Sequence, residues 1–231
     1  MNLEDKHPPT ATPIPGRSIL VWDLPTRLFH WLLLILVIVS FITGYTGGLW
    51  MQYHVWSGCS ILGLLIFRLL WGLIGGRYVR FSSFVRGPGA ALRYARAVLR
   101  RNAPRYLGHN PLGGWSVVAM LTVLLIQAIT GLFANDDIFT KGPLYPWVSK
   151  ATSDWLTHIH RLNQEVIILL VSLHVAAVLF YLIVKRENLI KPMFTGRKQW
   201  HGEDRASADH LALAALIAAV IAAGIYLLGL Y

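Results

Sequence analysis

Five long apolar segments constrain the fold of this chain more than any other feature of its sequence. They cover approximately residues 27–46, 53–75, 113–134, 161–185 and 211–230. A helix needs about 20 apolar residues to cross the hydrocarbon core of a bilayer, and each segment is near that length. Only 14% of the 231 residues are charged, whereas a soluble domain contains about a quarter charged residues. The sequence therefore predicts an all-α integral membrane protein with five transmembrane helices.

The charges of the loops predict how these helices are oriented. Residues 76–112 contain eight arginines and no acidic residue, and residues 185–210 are also basic. The loop 135–159 instead contains three aspartates and two lysines. Because basic loops remain in the cytoplasm, the N-terminus is predicted to be cytoplasmic and the C-terminus periplasmic. The net charge of +10 is then a topology signal, and no nucleic-acid partner is expected.

The same pattern divides the chain into three parts. Residues 1–25 are predicted to be a cytoplasmic tail that ends in a turn at Asp23-Leu-Pro, and no cleaved signal peptide is expected there. Residues 26–195 form the main transmembrane domain, which includes the arginine-rich loop 76–112. Residues 196–231 form a cytoplasmic linker and the fifth helix.

The arginine-rich loop contains a predicted short helix from Pro88 through Arg101. Its apolar residues and its arginines separate onto two faces. The apolar face comprises Leu92, Ala95 and Leu99, and the basic face comprises Arg93, Arg96 and Arg100. The separation favours a helix that lies on anionic lipid, with a solvated basic turn as the alternative.

Four of the nine histidines lie within or at the rim of apolar segments, namely His30, His54, His160 and His174. Polar residues at such depth are costly and usually face the interior of a helix bundle, where they serve a function. Four further histidines lie in the predicted tail and loops and are predicted to be solvated or interfacial. These are His7, His109, His201 and His210.

His160 and His174 are fourteen residues apart on one helix. Fourteen steps of 100° end about 40° short of four turns, so both imidazoles lie on the same face, roughly 21 Å apart along the axis. His158 is displaced by about 160° from His174 and is expected at the outer surface.

Helix direction pairs the four histidines by depth. His54 and His160 are predicted near the outer face, and His30 and His174 toward the cytoplasm. Two bis-histidine sites result, one above the other, and their separation excludes a single zinc or iron site with four histidines. Axial imidazoles on both sides of a haem iron favour electron transfer over oxygen binding.

Glycines and arginines near these levels predict how a porphyrin is accommodated. Gly44 and Gly58 lie near the level of the outer site, and Gly131 lies near the outer end of the third segment. Glycine permits close backbone approach, and ordinary small-residue helix packing is the alternative. Arg68 is predicted to meet a propionate of the inner haem or to snorkel to the cytoplasm, and Arg161 to serve the outer haem.

Several of these residues stand in recognisable motifs. They are Trp-Asp-Leu-Pro-Thr-Arg-Leu-Phe-His-Trp at 22–31, His-Val-Trp-Ser-Gly at 54–58 and Phe-Arg-Leu-Leu-Trp-Gly at 67–72. Together with His160 and His174, they resemble the prokaryotic cytochrome b561 / nickel–iron hydrogenase cytochrome b subunit family over roughly residues 19–195.

The resemblance implies a four-helix bundle in the bacterial inner membrane that holds two haem b groups. Its axial ligands correspond to His30, His54, His160 and His174. It also implies electron transfer between membrane quinone and a periplasmic partner such as a c-type cytochrome or a hydrogenase. The fifth segment departs from the shortest members, and it is expected to pack outside the haem bundle or to contact a partner.

Two other functions are open at this stage. One is a superoxide:ubiquinone oxidoreductase without a partner protein, and the other is a membrane anchor with structural histidines. A basic cytochrome would favour an acidic outer surface formed by Asp136, Asp137 and Asp154. Superoxide would favour a basic funnel formed by Lys141, Lys150 and Arg161. No catalytic residue is predicted, and whether the protein is an enzyme is left open.

Overall fold

The structure is a computed structural model that describes residues 17–100, 102–200 and 210–227. Four of its helices are long and apolar enough to cross a membrane. They are α1 (Leu24–Thr46), α2 (Met51–Ile74), α5 (Pro111–Leu132) and α6 (Lys150–Ile183). Four of the five predicted spans are therefore confirmed by length and composition, as is the multi-pass membrane character.

The helices begin where the sequence provides caps. The Asp23 side chain accepts the N–H of Thr26 at the start of α1, and Asn110 and Ser149 do the same for α5 and α6. Such caps satisfy donors that have no partner within the helix. The cap at Ser149 explains why α6 begins before the predicted boundary at 161, because its first turns are polar and extend beyond the apolar stretch.

The long helices form one bundle in which α1 packs on α2, α2 on α5, and α5 on α6. Leu65 and Trp71 of α2 are almost fully buried in its main apolar cluster, together with Phe29 of α1 and Leu121 of α5. Outward-facing residues such as Ile42 and Leu169 are largely exposed, as expected for helix faces that contact lipid tails.

The last helix, α8 (Leu211–Leu227), has 17 residues. At 1.5 Å per residue it is about 26 Å long, which is less than the roughly 30 Å of a bilayer core. The predicted fifth span is therefore not confirmed, and residues 228–230 of that segment lie outside the described residues. The helix packs on α2, where a Cβ on Gly63 would lie 2.6 Å from Ile225 Cδ1.

The prediction of an all-α chain is wrong in one detail, because two short strands pair antiparallel. Strand β1 (Arg17–Leu20) pairs with β2 (Arg197–Trp200), with Arg17 opposite Trp200. Residues 17–25 are therefore structured, whereas the remainder of the predicted tail lies outside the described residues. The pairing joins the two ends of the main domain, and no local periodicity in four residues predicts it.

Three short helices lie in the basic loops. They are α3 (Phe81–Phe84), α4 (Pro88–Leu99) and α7 (Ile190–Thr195). Helix α4 confirms the helix predicted from Pro88, although Arg101 lies outside the described residues. Ala91 and Tyr94 form its buried side.

Candidate functional site

His54 and His160 face one another near the end of the bundle where α2 begins. Their ring centroids are 6.1 Å apart, and the ring planes are nearly perpendicular at 83°. An imidazole nitrogen lies about 2 Å from a metal that it ligates and roughly 1 Å from the centre of its own ring, so two axial imidazoles on one iron have ring centres roughly 6 Å apart. The spacing of this pair fits one metal-centred cofactor between the rings.

Backbone carbonyls fix the orientation of both rings. His54 Nδ1 lies 2.8 Å from the carbonyl oxygen of Ser40, and His160 Nδ1 lies 3.0 Å from that of Gln127. Since a carbonyl oxygen only accepts, this geometry assigns the proton to Nδ1 and leaves the Nε2 lone pair free. Histidines that ligate metals are commonly held in this way.

A cavity of about 430 Å³ surrounds this pair and is bounded by α1, α2, α5 and α6. Its wall includes Gly58, Gly131, Arg161 and Gln164. The volume is within the range of about 300–1,000 Å³ that is usual for cofactor sites. Arg161, which was predicted to serve the outer haem, is exposed and lines this cavity. His158 is also exposed, as predicted, but it does not line the cavity.

The three predicted glycines differ in what lies next to them. A Cβ on Gly44 would lie 3.0 Å from His54 Nδ1, and a Cβ on Gly131 would lie 3.0 Å from His160 Cε1. These two glycines therefore make room for the histidine rings themselves. A Cβ on Gly58 would meet no atom within 4 Å, so Gly58 alone of the three faces open cavity.

The second pair, His30 on α1 and His174 on α6, is close enough for its charges to interact. His30 Nδ1 is buried and has no hydrogen-bond partner among the described residues. The neighbouring Trp31 ring packs edge-on against His30, with centroids 5.0 Å apart, and its Nε1 donates to the carbonyl of Met193. The two histidines are thus within range of charge interaction, and the His30 ring packs against Trp31.

Arg68 is buried at 3% exposure, so the predicted alternative of snorkelling to solvent is wrong. Its Nη2 donates to the carbonyl of Val79 at 3.1 Å, and its guanidinium lies 4.9 Å from the centre of the Phe81 ring. Asp23 is near enough for charge interaction, and its carboxylate also accepts from Trp71 Nε1 at 3.1 Å. Nη1 of Arg68 is buried without a partner among the described residues.

His109 was predicted to be solvated or interfacial, and the structure shows it half-buried, so it is not a fully solvated side chain. Its ring lies between those of Trp22 and Phe84, with centroids 4.7 and 4.5 Å away. Its Nδ1 is buried and unpartnered among the described residues. Burial, with the nearby charge of Arg68 next in importance, lowers the pKa of His109 to about 3. The only sequence signal is its place directly before the helix cap Asn110.

Two of the remaining histidines, His7 and His201, lie outside the described residues, and His210 is exposed. Throughout residues 17–100, 102–200 and 210–227, no three side chains of His, Cys, Asp or Glu cluster as a metal site.

The acidic and basic side chains of the outer loop largely neutralise one another. Lys150 Nζ lies 2.8 Å from a carboxylate oxygen of Asp137 and 2.9 Å from one of Asp154. The Asp136 carboxylate accepts three backbone N–H groups, from Ile138, Phe139 and Thr140. Lys150 is therefore paired with two of the three aspartates, whereas Asp136, Lys141 and Arg161 form no ion pair within the described residues.

Comparison with known proteins identifies the class to which this bundle belongs. The chain belongs to the prokaryotic cytochrome b561 family, whose profile matches residues 21–196. It is therefore a membrane b-type cytochrome of a family that transfers electrons, and haem b is the cofactor that membership implies. The predicted family resemblance is confirmed.

The similar curated proteins carry related names. A probable Ni/Fe-hydrogenase B-type cytochrome subunit from Rhizobium leguminosarum bv. viciae is 26% identical over 222 residues, covering 80% of this chain and 90% of the relative. One from Bradyrhizobium diazoefficiens is 23% identical over 223 residues, covering 79% and 87%. The probable Ni/Fe-hydrogenase 1 B-type cytochrome subunit of Escherichia coli K12 is 24% identical over 136 residues, covering 48% and 57%. No solved structure matches the chain.

Proposed function

We propose that the protein binds two haem b groups, one between His54 and His160 and one between His30 and His174. The observation that carries this proposal is the facing outer pair, with ring centroids 6.1 Å apart and both Nδ1 atoms engaged by carbonyls. The fourteen-residue spacing on α6 extends the same arrangement to the inner pair, roughly 21 Å away along the helix.

Other predicted site residues would position the porphyrins. Gly58 faces the outer cavity with open space around it, which suits a flat macrocycle edge. Arg161 at the cavity wall would meet an outer propionate. Arg68 has a buried, unpartnered Nη1 that can donate to an inner propionate, although Asp23 already balances part of its charge.

The function that follows is electron transfer across the membrane between quinone and a redox protein at the outer face. Haem iron with two axial imidazoles has no open position for oxygen, so it exchanges electrons. The names of the relatives point to a hydrogenase-like partner, with a c-type cytochrome as the alternative. The basic loops favour the orientation with the N-terminus in the cytoplasm and the C-terminus in the periplasm, in the bacterial inner membrane.

The outer surface favours this relay over the partner-free superoxide reaction. Lys150 is engaged by two aspartates, and Lys141 lies over the Tyr145 ring at 4.6 Å. Steering of a small anion needs unpaired positive charge, and two such charges, Lys141 and Arg161, supply less of it than the predicted three. The loop tip instead exposes Ile138 and Phe139 at 74% and 93%, which suits contact with an apolar protein surface.

Haem content of histidine variants tests the two sites. His54→Ala and His160→Ala should each lose one haem, and the double variant should still lose only that one. His54→Ala combined with His174→Ala should lose both. His158→Ala is the matched control, because this exposed histidine should leave two haems in place. Two haems retained after His174→Ala would refute the inner site.

Reduction kinetics test the relay. A reduced quinone analogue should reduce the haems of the purified protein. A hydrogenase supplied with hydrogen should also reduce them, but only when it is bound to the protein as its partner. Rapid haem reduction by a superoxide pulse without any partner would instead support the superoxide reaction. A reduced-minus-oxidised spectrum without a b-type band would leave only the membrane-anchor function.

A further inference from the structure

Helix α4 lies at the end of the bundle where α2 ends and α5 begins, since it belongs to the loop that joins them. It packs on α5, and the hydroxyl of Tyr94 lies 2.7 Å from that of Tyr181 near the end of α6. Both contacts hold α4 across the ends of membrane-spanning helices. This is the level at which apolar segments leave the hydrocarbon core for the headgroups.

The exposed surface of α4 has two adjacent parts. Leu92 and Leu99 are 52% and 83% exposed and lie about 20° apart around the helix axis. Next to them, three arginines fall within roughly 60° of one another. These are Arg93, Arg96 and Arg100. An apolar strip beside a basic strip is the pattern of a helix at a membrane surface.

The arginines surround an open cavity of about 310 Å³, whose wall also includes Ala97 and Asn102. Within the described part of the chain, none of Arg93, Arg96 and Arg100 forms an ion pair. The loop 76–112 supplies no acidic residue. Three unpaired guanidinium groups therefore converge on a space of headgroup size, and they extend over roughly 10 Å along the helix.

We propose that this cavity binds the phosphate groups of an anionic phospholipid, and binds the two phosphates of cardiolipin more tightly than the single phosphate of phosphatidylglycerol. Arginine forms paired hydrogen bonds with phosphate oxygens, and basic cavities at this membrane level suit such headgroups. Exposed Leu92 and Leu99 favour a lipid over free phosphate, because acyl chains would cover them. The bound lipid stabilises the contact of Tyr94 with α6, on which Tyr181 lies seven residues beyond His174.

Lipid retention by the intact haem-loaded protein tests this site. Native mass spectrometry is performed after delipidation in detergent and titration with cardiolipin, phosphatidylglycerol or phosphatidylcholine. The variant Arg93→Gln/Arg96→Gln/Arg100→Gln should lose roughly 100-fold in cardiolipin affinity, since each basic side chain near a membrane surface contributes roughly fivefold. The haem spectrum checks that the variant is folded.

A matched control removes three exposed basic residues elsewhere on the same side of the bundle. These are Arg80, Arg105 and Lys191. Their replacement by glutamine removes the same charge and should leave the cardiolipin affinity within about twofold of the parent protein. Equal loss in both triple variants, equal binding of phosphatidylcholine, or displacement of cardiolipin by millimolar inorganic phosphate would each overturn the proposal.

Discussion

Gly44→Ala is expected to displace His54 from the outer site without unfolding the bundle. The new Cβ would lie 3.0 Å from Nδ1 and 3.1 Å from Cε1 of the His54 ring. Because non-bonded carbon contacts are optimal at roughly 3.5–4.0 Å, the ring must retreat by roughly 0.5 Å. Its movement stretches the 2.8 Å hydrogen bond from Nδ1 to the Ser40 carbonyl, which lies one helical turn away on α1.

The substitution should leave the free energy of unfolding nearly unchanged but weaken haem binding at the outer site. Weakening one hydrogen bond costs about 1 kcal/mol, and alanine in place of glycine within a helix gains up to about 1 kcal/mol. Thermal stability should therefore change little. Haem affinity at the outer site should fall roughly 10- to 100-fold, as when a group that orients a metal ligand is lost.

The assay is haem titration of the apoprotein, followed by the Soret band, with Gly224→Ala as the control. Gly224 is also helical, and a Cβ there meets no atom within 4 Å. Gly131→Ala should behave as Gly44→Ala does, because its Cβ would lie 3.0 Å from the ring of His160. Parental haem affinity in both Gly44→Ala and Gly131→Ala would refute the assignment of the outer pair as ligands.

Three further predictions concern the ends of the bundle. Arg68→Gln leaves the buried carboxylate of Asp23 without its neighbouring charge, so detergent-solubilised protein should lose about 3 kcal/mol of stability, and adding Asp23→Asn should recover part of it. Burial lowers the pKa of His109 to about 3, against about 6.5 in an unfolded chain. The free energy of unfolding should therefore be independent of His109 above about pH 6.5 and should decrease below it by up to about 1.4 kcal/mol per pH unit. In thermal melts, His109→Phe should flatten this decrease. An unchanged pH profile in His109→Phe would contradict the argument. Asp136→Ala removes the acceptor of three backbone N–H groups, so the loop tip at 138–140 should be cleaved faster in limited proteolysis, whereas an unchanged rate would mean that these bonds do not hold the tip.

The sequence predicted those parts of the molecule that depend on local periodicity. Segment lengths predicted five spans, of which four are confirmed by length and composition. The pairing of His54 with His160 required only helix direction and depth. Each of these inferences uses residues on one helix or the order of helices along the chain.

Features that depend on distant contacts were missed. Strand β1 pairs with a segment roughly 180 residues later, and four residues carry too little alternation to indicate a strand. His109 occurs in a basic loop, and only the rings of Trp22 and Phe84 make its site buried. The ion pair of Lys150 with Asp137 was missed for the same reason, because the two residues meet only in the folded loop.

Helix α6 explains why the two histidine pairs differ in how firmly they are held. At its outer end, His160 bonds to the Gln127 carbonyl, and Asn163 donates to the Val123 carbonyl at 3.0 Å, so α5 fixes both the helix and the ring. Toward its other end, the hydroxyl of Tyr181 contacts that of Tyr94 on α4 and accepts a hydrogen bond at 3.1 Å from Asn110, the N-cap of α5. Because one helix carries both His160 and His174, these contacts with α5 also constrain the height and rotation of His174. Helices α4 and α5 therefore both hold the end of α6 that lies beyond His174.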